Sequence, residues 1–273
     1  MDLEGLSHAH SRLRKLPHIQ RARDFRLYAA GGARIVDCWQ QNGRAILGHT
    51  PRGVLVRLKN VADRGLFSAF PSPWEGRLAK ILGQLLPRYC FRFYASAAAL
   101  QEAISTQGFA QGSSLENPRV ALWRPFLESS PSPGDESPAL LCIPLLPVPE
   151  PLQILALDNS LDSRFPPGDL IPPVVLAPAI RGIAALIAAT PARGNPRFPL
   201  LDAAIPKGPW TRRGIYLALS PPPLEAVYDA LWDAFLAAGF LLPPHPEMPL
   251  ILPGILSKGE EAKLAALLAS RQR

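Results

Sequence analysis

The stretch RIVDCWQQNGRAILGHTP, residues 34–51, decides the fold. It follows the pair Gly31–Gly32, and a short apolar run after such a turn predicts a strand that ends at Asp37. At its other end, Thr50 and Pro51 are typical of a helix N-cap and a first helical turn. The stretch therefore predicts a strand, a connecting loop and a helix.

Apolar periodicity continues this alternation along the chain. The spacing of apolar residues predicts helices at 74–86, 96–100 and 224–236, and the capping box Ser257–Glu260 predicts a last helix. Short apolar runs predict strands at 90–93, 120–123, 140–143, 153–157 and 213–219. Strands that alternate with helices are typical of an α/β fold, here with a mostly parallel sheet in the middle and an α+β tail.

The composition restricts the class of protein. A chain of 273 residues with 48% hydrophobic and 19% charged residues is globular, and it is long enough for one large domain or two smaller ones. Its N-terminus carries acids and has no apolar core, and prolines interrupt its most apolar runs. We therefore expect neither a signal peptide nor a membrane span. The three cysteines lie far apart without a CxxC motif, which predicts no zinc site, no disulfide framework and a cytoplasmic location.

Residues 8–26 hold six Arg or Lys against a single acid, Asp24. Such an excess suits an adaptor that binds acidic partners, and the simpler interpretation is a solvated arm. No interleaved aromatic residues and no groove-reading motif accompany the charges, so nucleic-acid binding is not expected. His8 and His10 have no carboxylate or third histidine close to them in sequence, so they predict no metal site.

The common catalytic motifs GxSxG, HExxH, GxxxxGK[ST] and GxGxxG are absent. Among single residues, Asp158 ends an apolar strand, and ligands of α/β proteins bind at the carboxyl ends of strands. Asn159 and Ser160 are turn formers, so Asp158 has a second interpretation as the cap of a turn. His49 also has two interpretations, as a catalytic base or as a hydrogen-bonded structural residue.

Five segments, in this order, resemble class III pyridoxal-phosphate aminotransferases, most of all the glutamate-1-semialdehyde aminomutase branch. They match the family's opening "yiDy…G…lGHxhPxV", its "F-x-N-S-G-T/S-E-A", its "DEV", its "PDxxxlxKaxggG" and its "Gvyl-pPs", and they are residues 34–54, 93–99, 157–160, 173–180 and 239–244. The resemblance implies a shortened, degenerate chain with a reduced PLP-transferase-like large domain of aminotransferase fold type I. The small domain is then α+β and is made from both chain ends. The implied division is an N-terminal arm and part of the small domain over 1–65, the large domain over 66–199, and the rest of the small domain over 200–273.

The departures from the family concern its cofactor. The residue aligned with the Schiff-base lysine is Pro178, which has no amine to condense with an aldehyde. The phosphate cradle aligns with Ser96, Ala97 and Ala98, where the hydroxyl of the family's "GT" is gone, although backbone N–H donors persist. Asp158 aligns with the carboxylate that pairs with the pyridine nitrogen.

Ser96, Ala97, Ala98 and Asp158 are thus vestigial cofactor-binding positions, and no catalytic residue is predicted. Lys207, in a loop flanked by prolines, is the weak substitute for the missing lysine. We expect an aminotransferase-like pseudoenzyme that binds or scaffolds, forms a homodimer and holds no cofactor. The alternatives are an active pyridoxal-phosphate enzyme with an atypical site and the basic adaptor acting through residues 8–26.

Overall fold

The computed structural model describes residues 3–51, 53–109, 120–127, 139–143, 152–194 and 196–270. The chain divides into two compact units. The first unit comprises residues 1–50, 126–128 and 189–273, and the second comprises residues 51–125 and 129–188. Both chain ends therefore belong to one unit, with boundaries at 50/51 and 188/189, where the sequence predicted 65/66 and 199/200.

Eight helices and eleven strands occur in the described residues. The helices are α1 (Leu3–Arg14), α2 (Val54–Ala62), α3 (Pro73–Leu85), α4 (Ala97–Thr106), α5 (Pro173–Arg193), α6 (Pro199–Ala204), α7 (Glu225–Ala237) and α8 (Lys258–Ala269). The strands are β1 (Ile19–Arg23), β2 (Arg26–Ala29), β3 (Arg34–Asp37), β4 (Tyr89–Tyr94), β5 (Val120–Leu122), β6 (Leu140–Ile143), β7 (Gln153–Asp158), β8 (Trp210–Arg213), β9 (Tyr216–Leu219), β10 (Phe240–Leu241) and β11 (Leu250–Ile251).

Two sheets build the first unit. One has the order β1-β2-β3-β10, in which the N-terminal strands pair antiparallel and the C-terminal strand β10 pairs parallel with β3. The other is the antiparallel sheet β11-β9-β8. Helix α7 packs on β10, and its Trp232 is fully buried. Because β3 comes from the N-terminal part of the chain and β10 from the C-terminal part, both parts are needed to form this sheet.

Residues 8–26 form α1 and the β1–β2 hairpin, not a solvated arm. Arg12 of α1 is fully buried: its Nε donates to Asp229 at 2.7 Å, its Nη1 donates to the Pro244 carbonyl at 2.7 Å, and its Nη2 pairs with Glu225. Arg26 of β2 donates to Glu260 of α8 at 2.6 and 2.9 Å. The segment is ordered because its cations meet carboxylates of the C-terminal helices.

The second unit contains one sheet, in the order β4-β7-β6-β5. Strands β5 and β6 are parallel, and β7 pairs antiparallel with β6 on one side and β4 on the other. The sheet is therefore mixed, where the sequence predicted a mostly parallel one. Its core cluster consists of the buried residues Tyr94, Leu100, Ile104, Phe109, Leu140, Leu155, Leu157, Leu161 and Phe165.

Helix α5 is the longest apolar element in the described part of the chain. It has 21 residues and contains an 18-residue window with a mean hydropathy of 1.8, which meets the length and composition of a membrane span. Half of that window is buried inside the protein, which is typical of a core helix. The sequence predicted these residues as buried core but did not predict a helix, because Pro178 interrupts the run.

Candidate functional site

The direction of the strands defines one edge of the second unit's sheet as the place for a ligand. Strands β4, β5 and β6 point the same way, so the ends of these strands, Tyr94, Leu122 and Ile143, lie at one edge. The antiparallel β7 brings its first residue, Gln153, to this edge. Ligands of α/β sheets bind at the carboxyl ends of parallel strands, so this edge is where the implied cofactor would lie.

Asp158 lies at the other edge. It ends β7 opposite Tyr89, the first residue of β4. Its side chain accepts hydrogen bonds from the Ser160 hydroxyl at 2.7 Å, the Ser160 N–H at 3.0 Å and the Arg88 Nε at 2.7 Å. These bonds, those from Ser160 above all, lower the pKa of Asp158 to about 2. Asp158 therefore caps the 3₁₀ turn Asn159–Leu161, which is the second of its two interpretations.

The residues that the sequence predicted as a vestigial phosphate cradle lie at the N-terminus of α4. Ser96 is the N-cap and accepts a hydrogen bond from the Ala99 N–H at 3.1 Å, while Ala97 and Ala98 are exposed. The pairs Tyr94↔Gln153 and Tyr89↔Asp158 are five residue steps apart in the β4–β7 ladder. At about 3.3 Å per residue this is roughly 17 Å, which is too far for one pyridoxal-phosphate molecule to bridge. The structure thus does not bring Asp158 and Ser96 together.

Pro178, the residue aligned with the Schiff-base lysine, is buried in the second turn of α5. It is not at the end of a strand. The element that precedes α5 in the chain is the 3₁₀ turn that Asp158 caps, and this turn ends at Leu161. Position 178 is thus within a helix and does not follow a strand.

All six lysines of the chain are in the described residues, and all six are solvent-exposed; they are Lys15, Lys59, Lys80, Lys207, Lys258 and Lys263. None of them follows β4, β5 or β6 at the carboxyl edge. Lys207 ends a 3₁₀ turn, Ile205–Lys207, in the first unit. It lines a cavity of about 520 Å³ there.

The residues of this chain therefore do not fit pyridoxal phosphate in the way the family binds it. A Schiff base needs an amine in a site that shields it from water, and the exposed lysines do not offer one. The carboxylate and the helix N-terminus that would hold the ring and the phosphate lie at opposite edges of the sheet. No catalytic step through the cofactor follows from this geometry.

The stretch at residues 34–51 forms a polar cluster in the first unit. His49 Nε2 lies 2.8 Å from Asp37 Oδ2, and Asp37 is 1% exposed. The other oxygen of Asp37 accepts the N–H groups of Trp39 at 2.9 Å and Gln40 at 2.8 Å. The His49 N–H donates to the Asp24 carbonyl at 2.8 Å, an approach that Gly48 permits with φ +91°. All these contacts are internal, which matches the structural interpretation of His49.

Sequence reasoning missed Arg193, at the end of α5. Arg193 is 9% exposed. Its Cζ lies 5.2 Å from the centroid of the Phe25 ring and 5.6 Å from that of the Phe126 ring. Its Nη2 donates to the carbonyls of Ile46 and Leu252, each at 3.3 Å. Its Nε and Nη1 have no acceptor among the described residues. Burial lowers the pKa of Arg193 to about 10. Nothing in the local sequence distinguishes it from the other arginines, because the carbonyls it meets belong to distant segments.

Among the described residues, no group of three or more His, Cys, Asp or Glu could hold a metal ion. All three cysteines are described, and all are free thiols. Burial raises the pKa of Cys142 to about 11 and, with a hydrogen bond to Asp162, that of Cys90 to about 11. These thiols are therefore protonated and unreactive at neutral pH.

No family model matches the chain. An uncharacterized protein of Treponema pallidum (strain Nichols) is 28% identical over 289 residues, which cover 88% of this chain and 90% of that protein. An uncharacterized protein of Borreliella burgdorferi is 36% identical over 67 residues, about a quarter of each chain.

Solved structures are more informative about the fold. The omega-transaminase from Sphaerobacter thermophilus superposes with a TM-score of 0.64 at 14% identity, over 97% of this chain and 96% of that one. The N-acetylornithine aminotransferase from Stenotrophomonas maltophilia K279a gives 0.66 at 14% identity over 97% of both chains. An ornithine aminotransferase from Plasmodium yoelii gives 0.65 at 12% identity over 97% and 98%. The chain therefore has the fold of the pyridoxal-phosphate aminotransferases.

Proposed function

We propose that the chain is an aminotransferase-fold protein that has lost pyridoxal-phosphate catalysis and acts by binding. The single observation that carries this proposal is the exposure of all six lysines together with their absence from the carboxyl edge of the β4–β6 strands. Buried residues still provide the fold, while the amine on which the family's chemistry depends has no counterpart. A shared fold does not by itself imply a shared reaction.

The test is incubation of the purified full-length chain with one equivalent of pyridoxal phosphate, followed by borohydride reduction and peptide mapping. We expect no saturable visible absorbance of an internal aldimine and no single modified lysine. Scattered low-level labelling of several exposed lysines is the expected background, because each is an ordinary amine. Stoichiometric labelling of Lys207, lost in Lys207→Met and kept in Lys263→Met, would overturn the proposal.

That outcome would favour the second candidate, an active pyridoxal-phosphate enzyme with an atypical site. One observation supports considering it: Lys207 lines a cavity of about 520 Å³. Activation of Lys207 as a nucleophile would need burial or a nearby cation that lowers the pKa of its amine. Lys207 is exposed, so it lacks the burial.

The basic adaptor has less support. Of the six cations in residues 8–26, Arg12, Lys15 and Arg26 form ion pairs with carboxylates of α7 and α8. Arg21 stacks on the Tyr28 ring with its Cζ 4.5 Å from the centroid. Charges that are neutralised within the molecule attract an acidic partner weakly, because the fields of the two signs cancel at a distance.

A homodimer forms the second part of the proposal. Four large apolar side chains in and after α2 are exposed by more than half, and they are Leu55, Val56, Phe67 and Phe70. Apolar groups that cluster in a short segment mark an interaction surface more often than a free one. Sedimentation velocity should show a dimer that Phe67→Asp with Val56→Asp dissociates without loss of helical content. A wild-type chain that stays monomeric at high concentration contradicts this part alone.

We place this protein in the cytoplasm, on the basis of its three free thiols. Fractionation of cells with an antibody against the chain checks the location. Recovery in a membrane fraction resistant to salt would instead favour a membrane role for α5.

A further inference from the structure

A cavity of about 520 Å³ opens to solvent on one side of the first unit. Its walls come from the 3₁₀ turn at 205–207, the start of β8, the loop after β9, and α7. The volume is within the range of small-molecule sites, roughly 300 to 1,000 Å³. A Schiff base on Lys207, the second candidate of the proposed function, would occupy this cavity, whereas the proposed function leaves the cavity free for another ligand.

The walls are apolar and rigid. Four prolines line the cavity together with Trp210, Leu219 and Leu231, and the prolines are Pro206, Pro209, Pro221 and Pro223. A proline has a fixed φ and no N–H, so these four residues lose little freedom on binding and offer no backbone donor. Gly208 fixes one wall against α8, since a Cβ there would lie 2.0 Å from the Leu268 carbonyl oxygen.

The polar groups of the cavity are few. Lys207 is the only charged residue among the described lining residues. The Ser270 hydroxyl is engaged with the Leu267 carbonyl at 2.6 Å, and the N–H of Gly208 donates to the Ile205 carbonyl at 3.1 Å. A cavity whose lining side chains are mostly apolar, with one ammonium group at its wall, favours a ligand that has an apolar body and one negative charge.

We propose that this cavity binds a small amphipathic carboxylate, whose aromatic or aliphatic body packs on Trp210 and Leu231 while its carboxylate pairs with Lys207. The ring of Trp210 is held in place by its contact with Phe235, with 6.1 Å between centroids. Val227 is 48% exposed and lines the open side, where it contacts the outer part of the body. The charge of Lys207 provides selectivity, and the apolar walls provide most of the affinity.

The test uses three probes of nearly equal size: 4-phenylbutyrate, 4-phenylbutanol and 4-phenylbutylamine. Saturation-transfer NMR and calorimetric titration on the full chain give their dissociation constants. We expect the acid to bind about fivefold more tightly than the alcohol, which is the gain of one exposed ion pair, and the amine to bind most weakly. Equal affinity of the three probes would overturn the role of Lys207.

Three variants locate the site. Lys207→Met should reduce the affinity for the acid to that for the alcohol and leave the alcohol unchanged. Lys263→Met, a matched loss of charge on an exposed position of α8, should change neither. Val227→Trp should fill the cavity and abolish binding of all three probes, with thermal melts confirming that each variant is folded.

Two results would overturn the proposal. One is undiminished binding of the acid to Val227→Trp, which would place the probe elsewhere. The other is absence of binding of every probe to the wild type, combined with self-association that Val227→Trp abolishes, which would assign the cavity to a protein contact. Neither result bears on the borohydride experiment, so this inference and the proposed function fail separately.

Discussion

Replacing Arg12 by alanine tests how the two chain ends are held together. The side chain is fully buried between α1 and α7, and no other residue of α1 donates as many hydrogen bonds in the described contacts. Alanine at this position leaves the carboxylates of Glu225 and Asp229 without their cation and the Pro244 carbonyl without its donor. It also removes the guanidinium from the Tyr228 ring, whose centroid is 4.9 Å from Cζ.

The magnitude follows from the burial of the partners. Loss of one member of a fully buried ion pair costs about 3 to 5 kcal/mol, because the other charge is left without compensation. Glu225 and Asp229 are each about one third exposed, so water partly solvates them once Arg12 is gone. We therefore expect the free energy of unfolding to fall by the lower end of that range, about 3 kcal/mol.

Urea unfolding followed by circular dichroism measures this loss. The matched control is Arg14→Ala, an exposed arginine on the same helix, which should change the free energy of unfolding by less than about 0.5 kcal/mol. Arg12→Lys keeps the charge but not the planar fork, so it should recover only part of the loss. If Arg12→Ala unfolds at the wild-type urea concentration, α1 does not contribute to the stability of the first unit and the reasoning is refuted.

Three further predictions concern single side chains. Trp232→Ala should lower the free energy of unfolding by about 3 to 5 kcal/mol in a thermal or urea melt, and an unchanged melt would contradict the burial of this side chain. Trp232→Phe should cost much less, since the indole N–H has no acceptor among the described residues. Asp158→Asn should cost no more than about 1 kcal/mol, because it caps an exposed turn; abolished ligand binding at an unchanged melting temperature would reassign it to a functional site. Burial alone would raise the pKa of Glu260, but hydrogen bonds from Arg26 and Ser257 lower it to about 2. About 2 kcal/mol of the free energy of unfolding should therefore be lost as the pH falls from about 4.5 towards 2. Glu260→Gln should flatten this part of the plot of stability against pH.

Local patterns in the sequence predicted those elements whose signals are local. The capping box at Ser257 is present, with the Ser257 hydroxyl accepting the Glu260 N–H and the Glu260 carboxylate accepting the Ser257 N–H. The helix α7 and the strand at 34–37 are likewise confirmed, although Leu224 and Val227, at the start of the predicted apolar helix, are exposed. Charge misled the interpretation of residues 8–26, because the carboxylates that pair with Arg12 are more than 200 positions away in the chain.

The direction of β7 explains why the candidate site was harder to predict. A strand at 153–158 that ends in Asp158 looks the same in sequence whether it runs parallel or antiparallel to its neighbours. The length of the connection is the signal that distinguishes the two. Only nine residues, 144–152, separate β6 from β7, whereas a parallel crossover needs a dozen or more. That count predicts an antiparallel β7 and places Asp158 at the edge away from α4.

The distribution of burial separates the residues that hold the second unit's sheet from the positions that the resemblance assigns to the cofactor. Tyr94, Leu100 and Leu157 fill the core of the second unit, whereas Ala97 and Ala98, at the vestigial phosphate position, are exposed. Alanine is the best helix former, so Ala97 and Ala98 favour the first turn of α4 by helix propensity. The residues that would hold the cofactor and the residues that hold the sheet are thus different sets. Because the side chains of Ala97 and Ala98 are exposed, substitutions at these two positions should leave the free energy of unfolding almost unchanged.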